Sequence, residues 1–234
     1  MSVTETARVR ARRAVRADIL DTARRHLAEH GATGLSFRAV ARELGMPSSG
    51  VYRYFASRDA LLTALIVESY DSLGRCAEQS AEQTTGQPPR DRWVAAATAI
   101  RRWAIDHPQE YALLYGTPVP GYAAPEDTVV PGTRVSRALV GIVADAHRDG
   151  RLDPPPAAAD ATDLRPSTAA GLAHLADALE LDLAESTMLA ALLAWTQLFG
   201  LITFELFGQT RGLIEDHEAF LHDSAEHMAR TIGL

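Results

Sequence analysis

The stretch Leu35–Leu62, LSFRAVARELGMPSSGVYRYFASRDALL, has the pattern of two short helices joined by a tight turn and followed by a third helix. Ser36 is of a residue type preferred as an N-cap, and Gly45 lies where a helix would end in the left-handed conformation that glycine adopts without strain. Pro47 suits the first turn of the next helix. The pattern predicts a helix-turn-helix, a motif that reads the major groove of DNA.

The second helix of this motif presents side chains suited to contact with DNA. Hydroxyls, phenols and a guanidinium fall within about two turns, a reach that meets base edges and phosphates in a major groove. The residues concerned are Ser48, Ser49, Gly50, Tyr52, Arg53 and Tyr54. Gly50 costs a helix about 1 kcal/mol relative to alanine, and close approach of the backbone to a ligand is one reason for its presence. For Tyr52 and Tyr54, ring packing in the core of the small domain remains the alternative.

Residues Gly45–Leu62, together with LSFRAVA before them, resemble the N-terminal domain of the tetracycline-repressor (TetR) family of transcription regulators. The resemblance departs from the family pattern at Arg58, where lysine is usual. It implies an all-α protein, in which a three-helix helix-turn-helix domain precedes a larger helical domain for ligand binding and dimerisation. The expected segments are a basic flexible arm (1–14), the DNA-binding domain (15–62) and the C-terminal domain (63–234).

The resemblance also implies which residues contact DNA. Those expected to face bases are Arg38, Ser48, Ser49, Gly50 and Tyr52, and those expected to hold phosphates are Ser36, Arg53, Tyr54 and Arg58. Arg38 would reach a base edge from the start of its helix, with guanine O6 and N7 as the expected partners. Arg58 follows Ser57, a predicted N-cap, and so lies at a helix start, where backbone N–H groups also attract an anion.

Charge is distributed unevenly along the chain, although its net charge of −7 is acidic. Residues 1–62 carry 11 arginines against 6 acidic residues, a net charge of +5, and residues 63–234 have a net charge of −12. All 23 cationic residues are arginine and there is no asparagine, so base reading falls to Arg, Ser, Tyr or the backbone. The polarity predicts double-stranded DNA as the partner of the N-terminal segment.

Five arginines precede or open the first predicted helix, which should run from about Val15 to His30. They are Arg8, Arg10, Arg12, Arg13 and Arg16. Beside a helix-turn-helix, such an arm is expected to enter the minor groove or to follow the phosphates, and a disordered tail is the alternative. His26 and His30 are four residues apart, yet no further ligand lies near them in sequence, so helix-end and surface roles are expected.

Aromatic residues are concentrated in the first part of the C-terminal segment. Apolar walls with a few hydroxyls are typical of a small-molecule pocket, and core packing is the alternative for each ring. The predicted pocket residues are Trp93, Trp103, Tyr111, Tyr115 and Tyr122. The run WAIDHPQEYALLYG resembles a C-terminal domain, patterned by Trp, His-Pro, Tyr and Gly, found in one branch of the TetR family.

The last two predicted helices, about 184–207 and 215–232, differ in polarity. The first is apolar on most of its circumference, so it needs cover on nearly every side. The family resemblance implies that both helices form a four-helix interface in a homodimer. The residues with the 3-4 spacing of such a seam are Met188, Leu192, Trp195, Phe199, Ile202 and Leu206, and burial of all six within one subunit is the alternative.

Several classes of function lack support in the sequence. There is no Gly-rich phosphate loop, HExxH, CxxC or plausible triad spacing, so we expect no catalytic residue, cofactor or metal site. The single Cys76 fits a reducing cytoplasm. Thr187–Phe204 is an uncharged run of 18 residues, for which a buried helix is preferred over a membrane span.

The expected function is a cytoplasmic homodimeric repressor that binds a palindromic operator and is released by a small-molecule effector. Two alternatives remain at this point. One is an all-helical enzyme or ligand carrier with a fortuitous helix-turn-helix, and the other is a DNA-binding protein without an effector. Salt-dependent binding to a defined palindrome would separate the expected repressor from the first alternative. Thermal stabilisation of the protein by a metabolite would separate it from the second.

Overall fold

Helices account for nearly all the regular structure in the computed structural model, which describes residues 7–153 and 164–234. Within these residues there is no strand, and the predicted all-α class is confirmed. The α-helices are α1 (Ala7–His30), α2 (Phe37–Glu43), α3 (Ser48–Tyr52), α4 (Arg58–Gln83), α5 (Pro89–Asp106), α6 (Pro108–Tyr115), α7 (Val129–Arg148), α8 (Pro166–Leu179), α9 (Glu185–Leu206) and α10 (His217–Ile232).

The described chain divides into two compact units. The first comprises residues 7–71 and 107–131, and the second comprises 72–106, 132–153 and 164–234. The first unit is therefore larger than the three-helix domain predicted from the sequence, because it includes the first half of α4, helix α6 and the loop that follows α6. Both α4 and α7 are continuous helices that begin in the first unit and end in the second.

Local signals place the turn of the helix-turn-helix where the sequence predicts it. Gly45 has a φ of 64°, in the left-handed region, and the Met46 N–H donates to the Ala41 carbonyl at 2.9 Å. The predicted N-cap at Ser57 is confirmed, since its Oγ accepts a hydrogen bond from the Ala60 N–H at 3.0 Å. These bonds satisfy backbone groups that a helix end leaves unpaired.

The core of the first unit joins α1, α2, α3 and α4. Its most buried apolar side chains include Ile19, Leu20, Val40, Val51, Leu61 and Leu62. Val51 is the buried residue of α3, so one branched side chain holds this short helix to the core. The other residues of α3 are partly or fully exposed.

Helix α1 begins at Ala7, about eight residues earlier than predicted. The extension has no glycine or proline, and alanine and arginine are both good helix formers. Arg8, Arg10, Arg12 and Arg13 therefore lie on exposed helical turns and not on a flexible arm, which is a correction to the sequence analysis. Residues 1–6 of the predicted arm lie outside the described residues.

Polar and aromatic contacts attach α6 and its following loop to the first unit. The Arg24 Nε lies 2.8 Å from Glu110 Oε1, and Thr63 Oγ1 lies 2.9 Å from the Tyr122 hydroxyl. Tyr115 on α6 meets Tyr70 on α4 edge to face, with ring centroids 6.2 Å apart. Helix α6 is thus part of the unit that carries the helix-turn-helix.

In the second unit, α5 packs against α9 and α10. Its buried core includes Trp93, Ile100, Leu139, Leu198, Ile202, Leu221 and Met228. A bidentate ion pair between Arg101 and Glu205, with N–O distances of 2.7 and 2.6 Å, joins α5 to α9. Helix α8 packs on α9 through a separate, smaller apolar cluster.

Helix α9 is the one helix among the described residues that is long and apolar enough to cross a membrane. The same length and composition are found in core helices of water-soluble proteins, and several side chains of α9, including Leu198 and Ile202, are fully buried inside the second unit. The helix alone is therefore weak evidence for a membrane span.

Candidate DNA-binding site

The predicted reading helix, α3, exposes its polar side chains. Ser49 and Arg53 are exposed, and Tyr52 is 56% exposed despite its size. Ser48 and Gly50 are partly exposed. Arg38 is exposed on α2, so the side chains expected to face bases are accessible from solvent.

The ring of Tyr52 is oriented by packing even though it is exposed. It meets the Phe37 ring edge to face, with centroids 4.8 Å apart. This contact joins α3 to the first turn of α2 and limits the directions in which the phenol can point. Tyr54 is partly buried and packs against the core of the first unit, as the alternative interpretation of the sequence anticipated.

Gly50 has a reason for being glycine inside the protein itself. A Cβ placed on Gly50 would lie 3.3 Å from the Met46 Cε, which is closer than an ordinary van der Waals contact. Because the Met46 side chain is flexible, the contact is tight but not prohibitive. The contact therefore disfavours a larger residue at position 50 without excluding one, and close approach of Gly50 to DNA stays a prediction.

Arg58 makes contacts that the sequence did not reveal. Its Nε donates to the Leu35 carbonyl at 3.1 Å, and one terminal nitrogen donates to the Ala32 carbonyl at 2.6 Å. The guanidinium therefore holds the turn between α1 and α2, directly before Ser36. Ser36 occupies the predicted N-cap position of α2, but its side chain makes no cap hydrogen bond.

A buried histidine links α1 to the helix that carries Arg38. His26 is only 9% exposed, and its Nε2 lies 2.8 Å from Glu43 Oε2. Arg25 binds the other oxygen of this carboxylate at 2.7 Å. The hydrogen bond from Arg25, and then the one from His26, lower the pKa of Glu43. The surface role expected for His26 is wrong, because α2 supplies a carboxylate that is distant in sequence.

The start of α1 adds positive charge to this unit. Arg16 lies over the Phe55 ring, with its Cζ 5.1 Å from the ring centroid, and its terminal nitrogen is 3.4 Å from Glu68 Oε1. These contacts anchor one arginine of the series to the core. No group of three or more potential metal ligands occurs within the described residues.

The five aromatic residues predicted to line a pocket belong to different units. Trp93 and Trp103 are buried in α5, in the second unit, where the Trp103 Nε1 donates to Ser72 Oγ at 3.0 Å. Tyr111, Tyr115 and Tyr122 belong to the first unit. The rings of Tyr111 and Tyr115 pack 5.1 Å apart, and burial raises the pKa of Tyr115.

The six residues predicted for the dimer seam have unequal exposure. Met188, Phe199 and Ile202 are buried inside the second unit, whereas Leu192, Trp195 and Leu206 are at least partly exposed. Other large apolar side chains of α9 and α10 are more exposed. They are Leu193 and Phe204 on α9, Phe207 directly after it, and Phe220 on α10, which we call the apolar stripe.

The geometry of the first unit defines a helix-turn-helix DNA-binding domain, with a polar reading helix held by one buried valine on a three-helix core. Residues 19–65 match the sequence profile "Bacterial regulatory proteins, tetR family". Residues 93–230 match "Tetracyclin repressor-like, C-terminal domain". The chain belongs to the TetR family of transcriptional regulators and is not an enzyme, as the sequence resemblance predicted.

Similar proteins span almost the same length. The HTH-type transcriptional regulator Rv1816 of Mycobacterium tuberculosis is 38% identical over 206 residues, which cover 85% of this chain and 83% of the relative. The crystal structure of regulatory protein SCO4313 has a TM-score of 0.75 and 31% identity, and the match covers 95% of this chain and 98% of that one. A Rhodococcus sp. RHA1 protein of unknown function shares the fold, with a TM-score of 0.70, 24% identity, and coverage of 94% and 96%.

Proposed function

We propose that this transcriptional regulator is a cytoplasmic homodimeric repressor, that it binds a palindromic operator, and that a small-molecule effector releases it. The observation that carries the DNA-binding part is the exposure of Ser49 and Tyr52 on α3 and of Arg53 directly after it, with Arg38 exposed on α2. A helix of five residues reads few base pairs, so two copies on a two-fold symmetric site supply the specificity that one lacks.

The proposed contacts divide into base reading and phosphate binding. Bases are read by Arg38, Ser48, Ser49, Gly50 and Tyr52, and phosphates are held by Ser36, Arg53, Tyr54 and Arg58. Support for the first group comes from the exposure of α3 and the packing of Tyr52 on Phe37. Arg58 donates two of its N–H groups to backbone carbonyls, so only its remaining N–H groups are available to a phosphate. Its main contribution is to position Ser36 and the start of α2.

For the homodimer, we propose the apolar stripe as the seam. Complete burial of a fully exposed side chain of this size contributes about 1.5–3 kcal/mol, and the four side chains of the apolar stripe, which are 42–56% exposed, would each gain about half of that. Gly200 lies between Leu193 and Phe204, and nothing lies within 4 Å of a Cβ placed on it. A partner helix can therefore approach closely at Gly200. Burial in a dimer also accounts for an apolar helix in a cytoplasmic protein.

Effector release requires that a ligand prefer one conformation of the dimer over another. The chain connects its two units through the continuous helices α4 and α7 and through the junction of α5 with α6 at His107 and Pro108. A change in the second unit therefore reaches the first along the backbone itself. In the released state, the two reading helices no longer match successive major grooves.

The test is selection of bound duplexes from a random pool, followed by titration of wild type and Arg38→Ala on the selected site. We expect a palindromic site. Arg38→Ala should lose about 1–3 kcal/mol of binding free energy and should lose sequence specificity at one base pair in each half-site. Arg102→Ala, an exposed arginine of α5, is the control and should bind like wild type. Operator binding by Arg38→Ala that equals wild type would refute the base-reading assignment.

A further inference from the structure

A cavity of about 160 Å³ lies between α7, α8 and α9 in the second unit. Its walls are apolar, with Val140 on α7, Leu175 and Leu179 on α8, and Met188 and Trp195 on α9. No charged side chain among the described residues lines it. It contains none of the five aromatic residues that the sequence suggested for a pocket.

Helix α8 contributes two side chains to the cavity wall. Leu175 and Leu179, one turn apart, are the α8 side chains that reach it, and Ala191 on α9 is the smallest apolar side chain of the lining. The cavity is partly open to solvent, since Leu192 in its lining is 36% exposed and Leu175 and Leu179 are partly exposed. A ligand can therefore enter it directly and remove these apolar side chains from water.

Helix α8 is held in place as one wall of the cavity. A terminal nitrogen of Arg137 on α7 donates to the Ala178 carbonyl in the last turn of α8 at 3.3 Å. The helix then ends at Glu180, a non-glycine residue with a φ of 58°. A conformation that L-residues rarely adopt ends the helix directly after Leu179. The hydrogen bond joins the last turn of α8 to α7 beside the cavity.

The size and lining of the cavity define the ligand that fits. An engineered apolar cavity of about 150 Å³ accommodates benzene, so this cavity has room for one ring. Ser136 supplies the polar group of the lining, and its Oγ already donates to the Thr133 carbonyl at 2.9 Å. Because the proton of this hydroxyl is already donated, the oxygen can only accept a hydrogen bond from a ligand.

We propose that the α7–α8–α9 cavity binds an uncharged, ring-sized molecule that carries one hydrogen-bond donor, as phenol does. Its role as the effector site rests on the proposed function. Helix α9 has Leu192 in the cavity lining and the adjacent Leu193 in the apolar stripe, so one helix serves both the cavity and the proposed dimer seam. A bound ring would stabilise this arrangement of α8 and α9 over one in which the cavity is closed, and operator release follows when the DNA-bound dimer prefers the closed arrangement.

The first test measures binding to the purified protein without DNA, by calorimetry with phenol, toluene and benzoate. Phenol and toluene should bind, phenol about fivefold more tightly because of one extra hydrogen bond. Benzoate should bind much more weakly than phenol, because the lining has no cationic side chain to pair with its carboxylate. Ala191→Leu, which fills the cavity, should weaken phenol binding at least tenfold. Ala173→Leu, at an exposed position of α8, is the matched control and should bind like wild type.

A second variant keeps the test valid even if Ala191→Leu folds poorly. Ser136→Ala preserves the apolar volume and should lower phenol affinity to or below that of toluene without changing toluene binding. No binding of either ring, or equal phenol binding by wild type and Ala191→Leu, would overturn the proposal. Binding by a monomeric Phe204→Glu variant but not by wild type would also overturn it, because a side chain of the second copy would then occupy the cavity.

The effector role is tested separately, by titrating the selected operator in saturating phenol. We expect at least a tenfold loss of operator affinity, which Ala191→Leu should not show. Ring binding with unchanged operator affinity would overturn the effector role and leave the ligand site standing. Failure of the protein to bind any duplex specifically would overturn the proposed function, and the calorimetric result would still decide the ligand site.

Discussion

At the residue scale, single side chains that bind backbone carbonyls position the DNA-binding elements. Arg58 is the strongest case, because its two hydrogen bonds hold the turn from which α2 starts. The sequence showed Arg58 only as a cation at a helix start. The carbonyls that it binds lie 23 and 26 residues earlier in the chain, and no local pattern indicates them.

Replacing Arg58 with lysine separates its charge from its geometry. We expect Arg58→Lys to lower the free energy of unfolding by about 1–2 kcal/mol, because one ammonium cannot serve two carbonyls in the fork geometry of a guanidinium. Urea unfolding followed by circular dichroism measures this. Arg53→Lys, at an exposed position, should unfold like wild type. Equal stability of Arg58→Lys and wild type would show that the charge alone matters.

The ion cluster around Glu43 makes stability depend on pH. The bonds from Arg25 and His26 lower the pKa of Glu43 in the folded protein. A carboxyl with a lowered folded pKa contributes stability above its unfolded pKa and loses it as the pH falls through the folded value. We expect Glu43→Gln to be less stable than wild type at neutral pH, and this difference to shrink below about pH 4. Unfolding free energies across this range test the expectation.

The control for that series is Glu82→Gln, which changes an exposed carboxyl at the end of α4. Its stability should follow the wild-type pH profile closely. A Glu43→Gln deficit that stays constant from neutral to acid pH would mean that the variant acts through packing and not through the charge of Glu43.

At the element scale, the early start of α1 changes how the arginine series is expected to meet DNA. Arg8, Arg12 and Arg16 are spaced by four residues and so lie along one helix face. A helix of this width does not follow the floor of a narrow minor groove as an extended arm does. We therefore expect these side chains to contact phosphates.

The double variant Arg8→Ala/Arg12→Ala tests that expectation. The affinity for DNA should fall by the same factor on every duplex, whatever its sequence. The magnitude of the slope of log affinity against log salt concentration should decrease by about 0.9 for each phosphate that the variant no longer neutralises. Fluorescence anisotropy at several salt concentrations measures both quantities, with Arg102→Ala as the control. A loss of affinity restricted to duplexes with A·T-rich flanks would instead indicate minor-groove entry.

Helix α9 shows why apolar spacing alone does not identify an interface. Met188, Phe199 and Ile202 lie on one face of α9, and Leu193, Gly200 and Phe204 lie on another. In each set the residues are separated by sums of three and four positions, as in a helix seam. On a helix that is apolar on nearly every side, both sets match the pattern. Packing against α5 and α10 determines which set faces the core.

At the scale of the whole molecule, the proposed dimer is what gives the reading helices their spacing on DNA. Phe204, a member of the apolar stripe, is 53% exposed. Phe204→Glu should give a monomer with wild-type helicity, because the charge would be buried only in the dimer. Sedimentation velocity and circular dichroism measure the two properties.

The loss of the dimer should also remove tight operator binding, since each half-site alone binds weakly. Leu213→Glu is the matched control, because Leu213 is 80% exposed in the loop between α9 and α10 and lies outside the stripe. It should remain dimeric and bind operator like wild type. A dimeric Phe204→Glu variant would place the seam elsewhere on the protein.

The all-α class, the helix-turn-helix and the family could be predicted from the amino-acid sequence. These depend on signals that are local in the chain, such as the glycine at the turn, the serine at a helix start and the basic N-terminal segment. The packing of the helices was needed to establish which face of α9 is buried, that α6 belongs with the DNA-binding unit, and that Glu43 pairs with His26. Such contacts join residues that are distant in sequence, and they depend on the packing orientation of whole helices, which local patterns do not specify.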